Sequence, residues 1–326
     1  MDGNGAAAAP RFSMDGTRYD MGSYSGRFRA FLDVVDPRLT LTTDKELEDS
    51  QKLLKDFEAG ELDAKVTDEQ LWQAKKVRDG VTNTGTGEYI FPLFRMSGFV
   101  PANVPIVAGM LNSTTLGATL FWQWVNQSYN SATNYANRSG SDMSTEEILT
   151  SYGIAVGTSC GLAYAFHWLG NNGPTIFRKI SKVPVLVPYV AVAAAGAANV
   201  YFTRKPEIDN GVMVKDKDGR DLGISREAGK QGVYKTIFSR SLGLPIPVMV
   251  LPAAIMACVP KTLPKRTLMA AELIAITGSL SFGLPAALAI FPPKLELDAK
   301  SLEPEFHSLT DSEGNPITKV YSNKGL

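Results

Sequence analysis

Five apolar stretches follow one another between residues 100 and 291, and almost no charge interrupts them. They run from about Val100 to Val125, Ile148 to Leu169, Val183 to Phe202, Leu242 to Val259 and Leu268 to Phe291. Each approaches the roughly 20 residues that a helix needs to cross the hydrocarbon of a bilayer. A soluble α/β protein can bury one or two such helices, but five in succession need lipid as their solvent. The expected fold class is an all-α membrane protein with about five transmembrane helices. The region before Phe94 is charged and polar, so the average composition describes neither part of the chain. With 33 basic and 33 acidic residues the net charge is zero, which leaves no electrostatic case for a nucleic-acid partner.

The stretches carry individual marks. Pro101 and Pro105 suit the opening turns of the first. Gly153, Gly157 and Gly161 place a small residue at every fourth position of the second, a pattern that predicts close helix packing. The third holds an alanine-rich run and then Asn199, and Pro245, Pro247 and Pro252 predict that the fourth kinks or partly unwinds. The fifth contains Glu272 and is interrupted by Gly283 and Pro285. In a five-span arrangement basic residues fall on both sides, so charge does not orient the chain.

Outside the membrane the expected divisions are a disordered start over 1–25, an amphipathic helical region over 26–98, a transmembrane domain over 99–293 with a long connection at 204–240, and a C-terminal tail over 294–326. Thr43 to Glu46 and Thr67 to Gln70 read as capping boxes, with Gly60 and Gly80 as stops. The two short helices they predict would dock on something apolar, the membrane portion being one choice. Within 204–240, Gly211–Val214 and Arg220–Gly223 flank Lys217-Asp218-Gly219, which predicts a small β-hairpin between spans three and four. The Asp216-x-Asp218-Gly219 fragment lacks the late acid of a calcium loop. Early arginines hint at a mitochondrial presequence, whereas Asp2, Asp15 and Asp20 argue against one. Cys160 and Cys258 are far apart, His167 and His307 have no ligand spacing, and Thr84–Gly87 lacks the lysine of a phosphate loop. No enzyme, cofactor or metal site is expected.

Phe121 to Arg138, FWQWVNQSYNSATNYANR, is the chemically unusual part. Gln123, Asn126, Gln127, Asn130, Asn134 and Asn137 recur at spacings of three and four, which puts them along one helix face. A buried amide without a partner costs about 2–7 kcal/mol. Two readings stand: glue between helices, or the lining of a polar solute pathway. An acid inside a span, as Glu272 is, marks a functional site unless it reaches the interface beside Lys265 and Arg266. Arg95 and Arg138 bracket the first span as carboxylate partners or snorkelling anchors. The candidate substrate-binding set is Gln123, Asn126, Gln127, Asn130, Asn134, Asn199, Glu272, Arg95 and Arg138.

FRMSGFVPAN (Phe94–Asn103) and FWQWVNQSYNSATNYANRSG (Phe121–Gly140) resemble the sideroflexins. So do Asp36-Pro37-Arg38, the hairpin Gly211–Ser225, Ser239-Arg240 and the terminal Asn323-Lys324-Gly325-Leu326. The resemblance covers nearly the whole chain from about Arg27. It implies a multi-span protein of the mitochondrial inner membrane that transports small amino acids, serine foremost, into one-carbon metabolism. Where the family carries His-Pro-Asp-Thr-Gly-Glu, this chain reads Asn83-Thr84-Gly85-Thr86-Gly87-Glu88, a departure that marks a divergent member. The alternatives are a non-transporting scaffold or assembly factor, and a carrier of another small carboxylate such as citrate.

Overall fold

The computed structural model describes residues 10–84, 86–137, 145–180, 182–183, 185–290, 294–311 and 314–323. The chain divides into two compact units, one formed by residues 1–105 and 129–142, the other by residues 106–128 and 143–326.

The first unit contains α1 (Tyr24–Val34), α2 (Asp44–Ala59) and α3 (Asp68–Val81). Both capping boxes form. The Glu46 carboxylate accepts from the Thr43 N–H at 2.8 Å, and the Gln70 amide oxygen accepts from the Thr67 N–H at 2.9 Å. Gly60 ends α2 in the left-handed region, at φ 72°. Gly80 does not end α3, which continues to Val81; its missing side chain instead admits Leu39, whose Cδ1 would lie 2.8 Å from a Cβ there. The two helices dock on each other, with Leu54, Leu71, Trp72 and Ala74 closing around Phe12. That ring meets Phe57 and Trp72 edge-on at 4.9 and 4.8 Å. Residues 10–25 are therefore ordered, contrary to their disordered composition. Phe12 supplies the anchor, and hydrogen bonds from Trp72 Nε1 to the Pro10 carbonyl and from the Phe12 N–H to Asp68, both 2.8 Å, fasten the strap.

The first apolar stretch is two helices, α4 (Phe99–Leu111) and α5 (Leu116–Ala136), rather than one span. The break at Asn112–Thr115 has a local cause. Asn112 Nδ2 and Ser113 Oγ turn back to the carbonyls of Ala108 and Gly109, at 2.9 and 2.7 Å, while Thr115 Oγ1 accepts the Ala118 N–H at 3.2 Å and caps α5. A Cβ on Gly109 would lie 2.1 Å from the Trp122 ring, so α4 and α5 meet where glycine leaves room for indole.

The second unit continues with α6 (Thr145–Asn172), the short α7 (Thr175–Ile180), α8 (Leu186–Asn210) and α9 (Arg226–Thr236). Four helical runs among the described residues are long and apolar enough to cross a membrane: Glu146–Asn172, Leu186–Asn210, Arg226–Cys258 and Lys265–Ala289. The fold is all-α and multi-span, with these four runs and the α4–α5 pair in place of five equal spans. α6 packs on α8. The small residues that α6 buries are Ala155, Ser159 and Ala163, not the glycines. Gly153, Gly157 and Gly161 have nothing within 4 Å of a notional Cβ, because the buried stripe runs two residues further round the helix.

The prolines loosen the later runs as expected. After α9 the chain forms π-helix at Ile237–Gly243 and Ile246–Val250 before α10 (Leu251–Cys258). α11 (Lys265–Gly278) passes through π-helix at Ser279–Gly283 into α12 (Leu284–Ala289). Pro245, Pro247, Pro252 and Pro285 lack the donors that a tight ladder needs. These loosened turns cross at Gly283, where a Cβ would sit 3.1 Å from Pro247 Cβ.

The hairpin forms from β1 (Val212–Lys215) and β2 (Asp221–Ser225), with Val212 opposite Ser225. Asp216 organises its turn by accepting from the Asp218 and Arg220 N–H groups at 3.0 and 2.9 Å. The C-terminal tail is not separate. It supplies β3 (Lys294–Asp298) and β4 (Lys319–Asn323), giving an antiparallel sheet in the order β2-β1-β4-β3. Val214, Leu297, Phe306 and Val320 form its core.

Candidate functional site

α5 is amphipathic in an unusual sense, because the face it buries is made of carboxamides. Gln123 is fully buried and Asn126 and Gln127 nearly so, while Phe121, Trp124 and Tyr135 are exposed on the other side. The stripe changes depth along the helix: Asn130 is half-buried and Asn134 exposed.

Part of this seam is tied to α6. Ser159 Oγ donates to Gln123 Oε1 at 2.5 Å, and the Tyr152 hydroxyl accepts from Trp124 Nε1 at 2.9 Å. Ser128 Oγ also lies 2.9 Å from that hydroxyl. These bonds are helix–helix glue of the ordinary kind. They leave something over. Gln123 Nε2 and Asn126 Nδ2 are buried and have no hydrogen-bond partner among the described residues. The two residues are three apart and share one face. Both orphan atoms are N–H donors, so their complement is an acceptor such as a carboxylate. No charged side chain occurs between Phe99 and Ala136 to supply one.

The C-terminal part of α5 is anchored within the first unit. Tyr129 donates to the Leu93 carbonyl at 3.2 Å, and Asn137 Nδ2 donates to those of Phe94 and Thr133, at 2.9 and 2.7 Å. Asn83 is also structural here. Its Nδ2 donates to the Ala136 carbonyl at 2.9 Å and its Oδ1 accepts the Thr86 N–H at 3.0 Å. One amide thus caps α5 and shapes the loop before α4.

The remaining candidates are dispersed. Glu272 Oε1 accepts from Asn112 Nδ2 at 2.7 Å, which joins α11 to the α4–α5 break. Asn199 Oδ1 accepts from Thr203 Oγ1 one turn along α8, at 3.2 Å. Arg95 is fully buried and bonds to backbone carbonyls: its Nε donates to the Ile90 carbonyl at 3.0 Å, its Nη1 to that of Leu39 at 2.8 Å, and its guanidinium lies 4.9 Å from the centre of the Tyr89 ring. Burial pushes its pKa down from the usual arginine value. Arg138 lies outside the described residues. Ser159 escaped the sequence reading because it lies outside the amide block, with only its spacing from Ala155 and Ala163 to hint at a buried stripe, and Asn83 was read only as part of a departure from a motif. Ser241 and Ser279, both in π-helical turns, bury hydroxyls without partners among the described residues. No group of three metal-ligating side chains occurs among those residues.

The sideroflexin family model matches residues 13–326. A sideroflexin of Dictyostelium discoideum is 42% identical, with 97% of this chain and 98% of that one aligned. Human sideroflexin-5 is 36% identical over 98% of this chain and 94% of its own. The sideroflexin FSF1 of Saccharomyces cerevisiae is 37% identical, covering 95% and 96% respectively. No solved structure matches. Family model and relatives agree over almost the whole length, and the chain belongs to the sideroflexin family.

Proposed function

We propose that this sideroflexin is a carrier of a small neutral amino acid, serine-like in size and polarity, in the mitochondrial inner membrane, where it supplies one-carbon metabolism. The observation that carries the reading is the pair of buried, unpartnered N–H donors at Gln123 and Asn126. Helix glue alone would not leave them, since an unmet buried donor costs about 1–3 kcal/mol. A zwitterion fits. Its carboxylate accepts from these donors, and the carboxamide oxygens of the same seam offer acceptors to its ammonium and hydroxyl groups. The turn at Asn112–Thr115 and the π-helical turns at Ser241 and Ser279 add polar groups within apolar runs, as carriers with interrupted helices use them.

The test is uptake of labelled serine by the purified chain in liposomes, with alanine, glycine, cysteine and citrate as competitors. Gln123→Leu and Asn126→Leu are expected to cut uptake at least about tenfold, the cost of one lost hydrogen bond to a charged group; Asn126→Leu keeps folded yield and thermal stability, whereas Gln123→Leu also gives up the Ser159 bond and unfolds at a lower temperature. Removing an unpartnered donor spares the fold of a carrier and stabilises that of a scaffold. Full uptake by both variants, or none by the parent chain, overturns the reading.

A further inference from the structure

We infer that the first unit carries a lipid-binding foot: an apolar patch of Leu41, Tyr89, Phe91 and Leu93 that seats in the interfacial layer of the bilayer beside α4. These side chains are 81%, 51%, 62% and 46% exposed, while Phe12, Leu54, Leu71 and Trp72 of the same unit are buried together. Four exposed apolar groups carried by two segments that pack on each other mark a place where something apolar covers them.

They stand together because Arg95 holds them so. Two segments far apart in sequence carry them: the 3-10 turn Pro37–Leu41, and the stretch from Tyr89 through the turn Pro92–Phe94. Arg95 donates to Leu39 in the first and Ile90 in the second, while Tyr89 lies against its guanidinium. The turn Pro37–Leu41 packs on both Pro92–Phe94 and Met96–Gly98. The buried guanidinium is thus a rivet, and on these two segments it leaves Leu41, Tyr89, Phe91 and Leu93 outside together with the side chain of Arg38.

Continuity says what covers them. Beyond Phe94 and the buried Arg95 begins Met96–Leu111, an apolar helical run without an acid or base. The patch therefore adjoins the point where the backbone enters hydrocarbon, the depth at which aromatic rings with one wet end are favoured. Leu41 has no such backbone continuity. It is brought there from a distance, which makes it the informative position.

The experiment uses the full chain, with Cys160 and Cys258 replaced by serine, reconstituted in liposomes containing lipids with nitroxide-labelled acyl chains. Single cysteines at Leu41, at Phe91 and at Glu48 on α2 carry an environment-sensitive fluorophore. The Leu41 and Phe91 positions are expected to emit to the blue and to lose most of their emission to the nitroxide lipids, while Glu48 keeps its own. Leu41 is so exposed that labelling it leaves folding intact. Quenching at Leu41 no greater than at Glu48 overturns the inference. So does blue-shifted emission untouched by labelled lipid, the sign of a protein covering such as a second copy. Neither result depends on whether the chain transports a solute.

Discussion

At the scale of single residues, the same carboxamide chemistry does unlike jobs on neighbouring turns. Gln123 has one atom bound to Ser159 and the other unmet, whereas Asn83 and Asn137 donate to carbonyls and fix the end of α5. The spacing of the amides predicts a shared face, and they share one. It says nothing of depth, which depends on what lies against each turn, and so Asn134 is exposed while Gln127 is buried. Arg95 was equally illegible, because a cation before a span reads as an anchor or an anion contact unless its carbonyl partners are known. Asn83→Asp tests the capping role. It places an acceptor against the Ala136 carbonyl and is expected to cost about 1–3 kcal/mol, more than Asn83→Ala. Thermal unfolding, with hydrogen exchange over residues 82–89, reads the difference.

At the scale of elements, local chemistry predicted local structure well. Both capping boxes, the Asp216–Gly219 turn and the proline-loosened fourth and fifth runs form where their residues imply. The α4–α5 break was hidden because four small polar residues, Asn112 to Thr115, barely lower the mean hydropathy of a long window. The glycine stripe of α6 misled for a related reason: small residues permit close approach on any face, and only the position of α8 chose one. Strand β4 joins the hairpin through a partner about a hundred residues away, Lys215 opposite Tyr321, and β3 pairs in turn on β4, which no local pattern reveals. The same tail caps α9. Glu303 accepts from Ser225 Oγ at 2.6 Å and from the N–H groups of Arg226 and Glu227 at 2.8 and 3.1 Å. Burial pushes its carboxyl pKa up, but the bonds from Ser225 and the two N–H groups outweigh it and hold the group below the usual glutamate range. A depressed folded-state pKa stabilises above the unfolded value of about 4.3, and that contribution is lost as pH falls. Glu303→Gln is expected to cost about 1–2 kcal/mol at neutral pH. Its protection gap from the parent chain, measured by hydrogen exchange at α9, holds above the unfolded value and closes as pH falls through the lowered folded-state pKa.

At the scale of the whole molecule, hydrogen bonds decide what charge counting left open. Asn137 reaches the Phe94 carbonyl, so the α4–α5 pair leaves the membrane on the side where it entered, however deep it goes. Two membrane-length runs separate α5 from the hairpin, and two more separate the hairpin from the tail. Every count is even. Both ends of the chain and the sheet are expected on one face of the bilayer, with Lys179, Lys182, Lys261 and Lys265 on the other. Tags at the two termini of protein in sealed vesicles should be cut together by added protease or survive together; one cut and one spared would refute the count. The sheet has a mechanical consequence as well. Lys215 pairs with Tyr321, so everything between them, including the last two crossings, is a closed loop clasped at its base. Such a loop ties both crossings to one clasp, so a shift of either along the bilayer normal is expected to be felt by the strands at its base.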